Sequence, residues 1–447
     1  MRRRNRGRVA LAAVAAMWVA AALPGQAYAA GESAAYTFDP GAGQVAGAEF
    51  STQAPALKDG SVYRSSIKPG EKLYYRLDLD ARTNAYVSAV AVPRGGGRVA
   101  YGDGITVSIR DSADLQCGSQ SARFESAEFP RPIAAYASRM MEKDSSTCQD
   151  AGTYNVLIER ESRNTSSQDA WDLELRYVAE PRPKKAAGSL PTGAPENWPS
   201  SSPAPPTAAP QKRSGGSSYY DATGLETGEW QEEGGIRPGQ TLFYRVPVDW
   251  NQQIFVTADL SNSTTSDTYV GNALALSLDN PAHGHVDSAS PLSYSGKSAS
   301  VSLDPLPPVA YENRHDSADD VSAMRFAGWY YLSVTLSPAV AKSYGDKAIP
   351  LTLKVKVEGE AGSSPYAGDA GPFSVTQDDK DMARAGKSGP QAARGGTMKA
   401  VGVAGITTGS VLVLGLGAWT LLARRRAATA PAAPSGGEPY GGPPPAW

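Results

Sequence analysis

The chain has 447 residues, with 43 Lys and Arg against 45 Asp and Glu and a net charge of −2. No block of positive charge marks a nucleic-acid surface, which excludes that class of partner. Three histidines and two cysteines leave little material for metal or nucleophilic chemistry, and the length between the apolar ends suits two domains of ordinary size.

Residues 1–29 read as a secretory signal peptide. Five arginines fall in the first eight residues, an apolar run follows from Val9 to Leu23, and Ala27-Tyr28-Ala29 supplies a small-x-small site. Cleavage is expected near Ala29 or Ala30. An uncleaved anchor is the alternative, and either way the following chain is exported.

Residues 30–180 and 219–360 carry one pattern twice. "IKPGEKLYYRLDLDA" (Ile67–Ala81) returns as "IRPGQTLFYRVPVDW" (Ile236–Trp250), 169 positions later. In each, four apolar residues alternate with their neighbours: Leu73, Tyr75, Leu77 and Leu79, then Leu242, Tyr244, Val246 and Val248. Period two over eight residues predicts a strand with one buried face, and the Pro-Gly before it is turn chemistry. Pro247 lacks a backbone donor, so the second of these strands is expected at an edge or a bulge. "NAYVSAV" and "QIFVTAD" correspond at the same offset, as do "ITVSIRD" and "LALSLDN". "AGTYNVLI" and "AGWYYLSV" follow at an offset of 176, and "LELRYV" and "LTLKVK" at 178. Helical periodicity is absent outside the C-terminal apolar segment. The fold class is therefore all-β, two tandem β-sandwich domains made by duplication. Cys117 and Cys148, both in the first domain and in an oxidising compartment, are expected to form a disulfide. It would be worth about 3–4 kcal/mol; buried free thiols are the alternative.

Residues 181–218 are rich in Pro, Ser and Ala and predict an extended spacer. Residues 361–399 read as a stalk. Residues 400–423 contain no charge and would make a helix roughly 36 Å long, enough to cross a membrane. Arg424, Arg425 and Arg426 follow as a stop-transfer cluster. The expected location is the cell membrane, with one span, the bulk of the chain outside and the Pro-rich tail 424–447 in the cytoplasm. Gly405 and Gly409 have the spacing of a helix-dimerisation face.

With the strands named, a resemblance emerges. The "xxPGQxxxYRVxV", "QxxxVxAxL", "LxLxLxD" and "AGxYYLxV" strands resemble bacterial pre-peptidase C-terminal domains. They are also similar to the non-enzymatic region found with von Willebrand A modules in some actinobacterial membrane proteins. The likeness spans most of both copies. It implies a jelly-roll-like sandwich with a secreted accessory role and no catalytic residue. No protease domain precedes either copy, and stretches near Phe124–Met141 and Pro291–Asp320 enlarge them.

No Gly-x-Ser-x-Gly elbow, His-Glu-x-x-His, Cys-x-x-Cys or phosphate-cradling loop is present. In "NPAHGHVDS", His283, His285 and Asp287 would suit a Zn²⁺ ion if all three shared a strand face; a solvated loop is the alternative. "DSAD" (Asp111–Asp114) and "HDSADD" (His315–Asp320) offer oxygen ligands for Ca²⁺ without a full coordinating loop. Trp230, Trp250, Trp329 and Tyr331 are candidates for a ligand-facing aromatic surface. Tyr330 and Tyr154, which hold one place in both copies, read as packing. The expectation is a chain without enzymatic activity or cofactor, a membrane-anchored interaction or scaffold protein of the bacterial cell envelope with a surface protein as partner. A module that binds wall glycan is the alternative, and an accessory peptidase the third reading.

Overall fold

The structure is a computed structural model that describes residues 35–142, 145–184, 193–204, 209–263, 268–394 and Trp419. The expected signal peptide, the membrane helix apart from Trp419, Gly405, Gly409, the arginines 424–426 and the tail lie outside the described residues. Among the described residues no helix is long and apolar enough to cross a membrane.

The first half is built of β1 (Gly43–Gln44), β2 (Val62–Ile67), β3 (Lys72–Leu79), β4 (Ala85–Val92), β5 (Gly104–Arg110), β6 (Gln116–Arg123), β7 (Ile133–Arg139), β8 (Gly152–Glu161) and β9 (Trp171–Ala179). The second has β10 (Gln211–Arg213), β11 (Thr223–Gly224), β12 (Gly228–Glu232), β13 (Thr241–Val248), β14 (Gln253–Leu260), β15 (Val270–Asp279), β16 (His285–Ser288), β17 (Leu292–Tyr294), β18 (Ala299–Ser302), β19 (Gly328–Leu336) and β20 (Leu351–Glu358). Its helices are α1 (Asp319–Ala323), α2 (Val340–Tyr344) and α3 (Gln377–Ala385).

Each half folds as two sheets. The first pairs β1-β2-β9-β4-β7 against β3-β8-β5-β6; the second pairs β10-β12-β20-β14-β18 against β11-β13-β19-β15-β16, with β17 also on β15. The order 2-9-4-7 matches 12-20-14-18 and 3-8-5-6 matches 13-19-15-16, with β11 and β17 added in the second half, so the phrase repeated in the sequence is β3 in one half and β13 in the other. The alternation does what its period requires: Leu73, Tyr75, Leu77 and Leu79 are buried in the first core. Pro247 lies on the part of β13 beyond its two-residue pairing with β11, where no donor is needed. Tyr154 and Tyr330 are both buried, and each donates its hydroxyl to a carbonyl four residues back, at Asp150 and Phe326.

Cys117 and Cys148 are bonded, with their Cα atoms 5.7 Å apart. The loop at Cys148 is held from beneath by Arg139, which is fully buried. Its guanidinium donates to the carbonyls of Cys148 (2.6 Å), Thr83 (2.7 Å) and Asp150 (3.0 Å).

Two expectations about chain organisation change. Described parts of the segments read as spacer and stalk lie against the sandwiches. Gln211–Arg213 forms β10 beside β12, and Pro183 bridges to Tyr366. Tyr366, Phe373 and Ala383 are buried, and α3 packs on β11 and β13. The reason is apolar anchors at wide spacing: three buried side chains suffice to dock a polar segment, at about 1.5–3 kcal/mol for each large one.

Candidate functional site

The halves also pack on each other. The outer face of the first sandwich's β4–β7–β9 surface meets the second sandwich, so β4 is buried on both faces. Tyr86 lies edge-on to Phe326, with centroids 5.0 Å apart, and its ring also meets Phe373. Glu180, just past β9, is the polar centre of this junction. It accepts from Arg314 through both carboxylate oxygens (2.6 and 3.2 Å), from Tyr366 (2.7 Å), and from Tyr86 (2.9 Å) and Asn84 (2.6 Å) of its own half. Burial would raise the Glu180 pKa, but Arg314 and the other donors outweigh it and hold it below the ordinary carboxylate range. Arg325 donates to the Tyr136 hydroxyl at 3.2 Å and Arg176 to the Pro281 carbonyl at 2.8 Å, tying the halves at two more points.

Beside this junction lies a cleft of about 370 Å³ walled by both halves. The first sandwich contributes Arg123 and Arg131; the second contributes Tyr219, Asp279, His285 and Ser288. The β15–β16 hairpin shapes its floor. Asp279 pairs with His285 across the register, and a bulge between Leu278 and Asp279 shifts the following residues. A bulge re-aims side chains, so Ser288, three residues after His285, joins it on the same face. His285 Nδ1 lies 3.3 Å from Asp279 Oδ1, and His285 Nε2 lies 3.3 Å from Ser288 Oγ. The buried Tyr219 donates to the other Asp279 oxygen at 2.6 Å. Burial pulls the His285 pKa down; the Asp279 hydrogen bond and charge, with Asp287 and Glu125, more than reverse this and leave it raised.

His283, His285 and Asp287 do not converge as a zinc site would require. His283 is buried at φ +59°, stacked on Tyr219 with centroids 4.4 Å apart, and burial followed by Arg176 drives its pKa well down. Asp287 turns away to accept from the Asp304 amide. The left-handed backbone at His283 breaks the strand geometry on which the shared face depended. The acidic loops are turns: Asp111 accepts from the amides of Ala113 and Leu115, and Asp316 from that of Ala318. Among the described residues no group of three His, Cys, Asp or Glu side chains is placed to hold a metal ion.

The candidate aromatic surface is likewise covered. Trp230 and Trp250 are 3% and 4% exposed. Arg213 lies 4.4 Å over the Trp230 ring, and Trp250 meets Tyr366 edge-on. Trp329 donates to Asp379 of α3 at 2.8 Å while Arg245 stacks 4.1 Å over its other side. Tyr331 packs with Tyr219 and His283 at the base of the junction. Sequence reading missed Asp279, Ser288, Glu180 and Arg314. The signal that existed was the placement of Arg131 and Arg314 inside the two enlarging stretches.

No family model matches the chain. No curated protein matches it either. Among solved structures it is similar to the CUB1-EGF-CUB2 segment of human MASP-1/3, at 8% identity over 66% of this chain and 99% of that one, TM-score 0.16. It is also similar to the tandem CBM22 domains of Paenibacillus barcinonensis Xyn10C, at 11% identity over 68% and 92%, TM-score 0.18. At such scores these likenesses carry no weight for fold or function, which rest on this chain's own strands and side chains.

Proposed function

We propose that this chain is a membrane-anchored binding or scaffold protein of the bacterial cell envelope, made of two jelly-roll sandwiches that act as one body. Support for the jelly roll comes from the strand order, 2-9-4-7 against 3-8-5-6 in the first half, with the same order in the second. The resemblance to pre-peptidase C-terminal domains and the export and anchoring segments belong to the same proposal. The observation that carries it is the buried Glu180–Arg314 pair. A bidentate ion pair with every carboxylate oxygen occupied orients its partners sharply, so the two halves present a single composite cleft that neither makes alone. Cleft walls of serine, arginine and carboxylate side chains suit a polar segment of a surface protein. Burial of Trp230 and Trp250, with Trp329 held by Arg245 and Asp379, weakens the motive for a glycan platform.

The test is retention of the full-length chain on native envelope protein, by cross-linking and mass spectrometry, beside sedimentation with purified wall polymer. Ser290→Trp, which fills the cleft from an exposed position, should abolish retention of the protein partner. Retention unchanged in that variant would show that the cleft is not the recognition surface. Sedimentation with wall polymer that Ser290→Trp abolishes would make the partner a glycan.

A further inference from the structure

Four side chains on the cleft floor form one line that neither the strand pattern nor the junction requires. Ser288, exposed to the cleft, touches the imidazole Nε2 of half-buried His285; the other nitrogen faces buried Asp279; Tyr219 backs Asp279 from behind. The Tyr219 hydroxyl donates to one Asp279 oxygen, which leaves the other to accept from His285 Nδ1–H. That selects the tautomer with a bare Nε2 pointing at the serine. Ser277 Oγ, 2.9 Å from Ser288 Oγ across the hairpin, holds the hydroxyl in place. A nucleophile, a base within reach of its proton and a third group orienting the base is the arrangement that activates a hydroxyl, and it is recognised by geometry and not by chain order.

We propose that Ser288 is a nucleophile, with His285 as its general base and Asp279 as the residue that positions the imidazole, and that the cleft takes a carboxylic ester. This goes beyond the binding role and departs from the expectation of a chain without chemistry. The Ser288 proton passes to His285 Nε2 as Oγ bonds to the carbonyl carbon. The ester C–O bond then breaks and the leaving alcohol takes that proton. Water, giving a proton to His285, attacks the acyl-Ser288, and collapse returns the proton to Oγ and frees the acid. No electron is gained or lost. Arg123 is paired with Glu161, so negative charge on the carbonyl oxygen is met by Arg131, which lines the same cleft. Against burial, the charges of Asp279, Asp287 and Glu125 leave the imidazole pKa raised, so its basic form grows in at higher pH than that of an ordinary histidine.

The experiment is labelling of the purified full-length chain with a fluorophosphonate, read by peptide mass spectrometry. Here the Oγ–P bond forms, fluoride leaves phosphorus and the proton goes to His285. Label is expected on Ser288 and not on Ser290, which lines the same cleft without a base. His285→Gln should label about 100-fold more slowly, the lower range for loss of a general base. In Asp279→Asn the rate should fall and its pH midpoint should move down, because the carboxylate that raises the imidazole pKa is gone. A purely structural Asp279 would leave that midpoint in place. Should either variant fail to show the parent's melting transition, the pH profile of the unaltered chain decides. A Ser288 rate rising through one titration above pH 6.5 supports the proposal, and a profile shared with Ser290 overturns it. No label on Ser288 also overturns it, and this leaves the binding reading standing, since that is measured by retention.

Discussion

Gly284 shows how the junction depends on single atoms. A Cβ at this position would lie 2.5 Å from Cδ1 and 2.6 Å from Cε1 of the Tyr136 ring, across the boundary between halves. Tyr136 cannot retreat, since Arg325 holds its hydroxyl and Tyr86 stacks on its face. Gly284→Ala should therefore destabilise the chain by about 1–3 kcal/mol, the range for overpacking a filled interior, and urea unfolding will measure it. Nothing in "AHGHV" announces this. The glycine reads as a turn residue because its reason sits about 150 positions away in the other half. Glu174 makes a second case. Its side chain is 4% exposed and its pKa is raised to about 7, by burial first, against the pull of Tyr36 and Arg176. A carboxyl whose folded pKa lies above its unfolded 4.5 costs nothing while protonated. It becomes destabilising as pH rises from the unfolded value through the folded one. Glu174→Gln should thus be nearly neutral at about pH 4.5 and stabilising at pH 8, by up to about 3 kcal/mol. Thermal melts at the two pH values test the sign.

At the scale of elements, the strand pattern was legible wherever a strand faces one core. β3 and β13 start from the same phrase, yet in β13 Phe243 and Arg245, on the face expected to be open, are buried as well. Phe243 is covered by Tyr36 and Tyr219, and Arg245 lies on the Trp329 ring beside α3. Period two reports the core a strand belongs to; a second layer added by distant chain leaves no mark on it. The same limit hid the cleft relay. His285 stood out as a rare residue, but its partners depend on which face a bulge gives to Ser288, and a one-residue shift reverses that face. α3, by contrast, could have been found. Thr376 and Asp379 make a capping box, the Thr376 side chain accepting from the Asp379 amide and Asp379 accepting from the Thr376 amide, and Gly386 closes the helix at φ +63°. Thr-x-x-Asp followed by a closing glycine is a helix signature even without an apolar stripe. Thr376→Ala should cost about 1 kcal/mol, loosening α3 from Trp329. A red-shifted tryptophan emission and faster proteolysis after Gly386, at unchanged global stability of the sandwiches, will check it.

For the whole molecule, the question is whether two sandwiches of matched strand order unfold as one unit or two. Duplicated domains on a spacer should melt separately. Here the aromatic and ionic junction couples them, and Arg314 with Glu180 sits at its least forgiving point. The side chains are 4% and 1% exposed, so removing one charge leaves the other buried and unpaired, a loss of about 3–5 kcal/mol. Arg314→Met should accordingly divide a single calorimetric transition into two, with the loss borne by the junction and not by either core. Replacing both partners, Glu180→Gln with Arg314→Met, leaves no orphaned charge and should recover much of the coupling. Acid supplies the same perturbation without mutation. Glu180 is held below its unfolded pKa, so its contribution is present above the unfolded carboxylate range and is lost as pH falls through the folded value. The unaltered chain should then pass from one transition near neutrality to two in acid, while Glu180→Gln with Arg314→Met shows no such change. Two separate transitions at pH 7 in the unaltered chain would mean that the halves are coupled too weakly for their shared cleft to be a defined site.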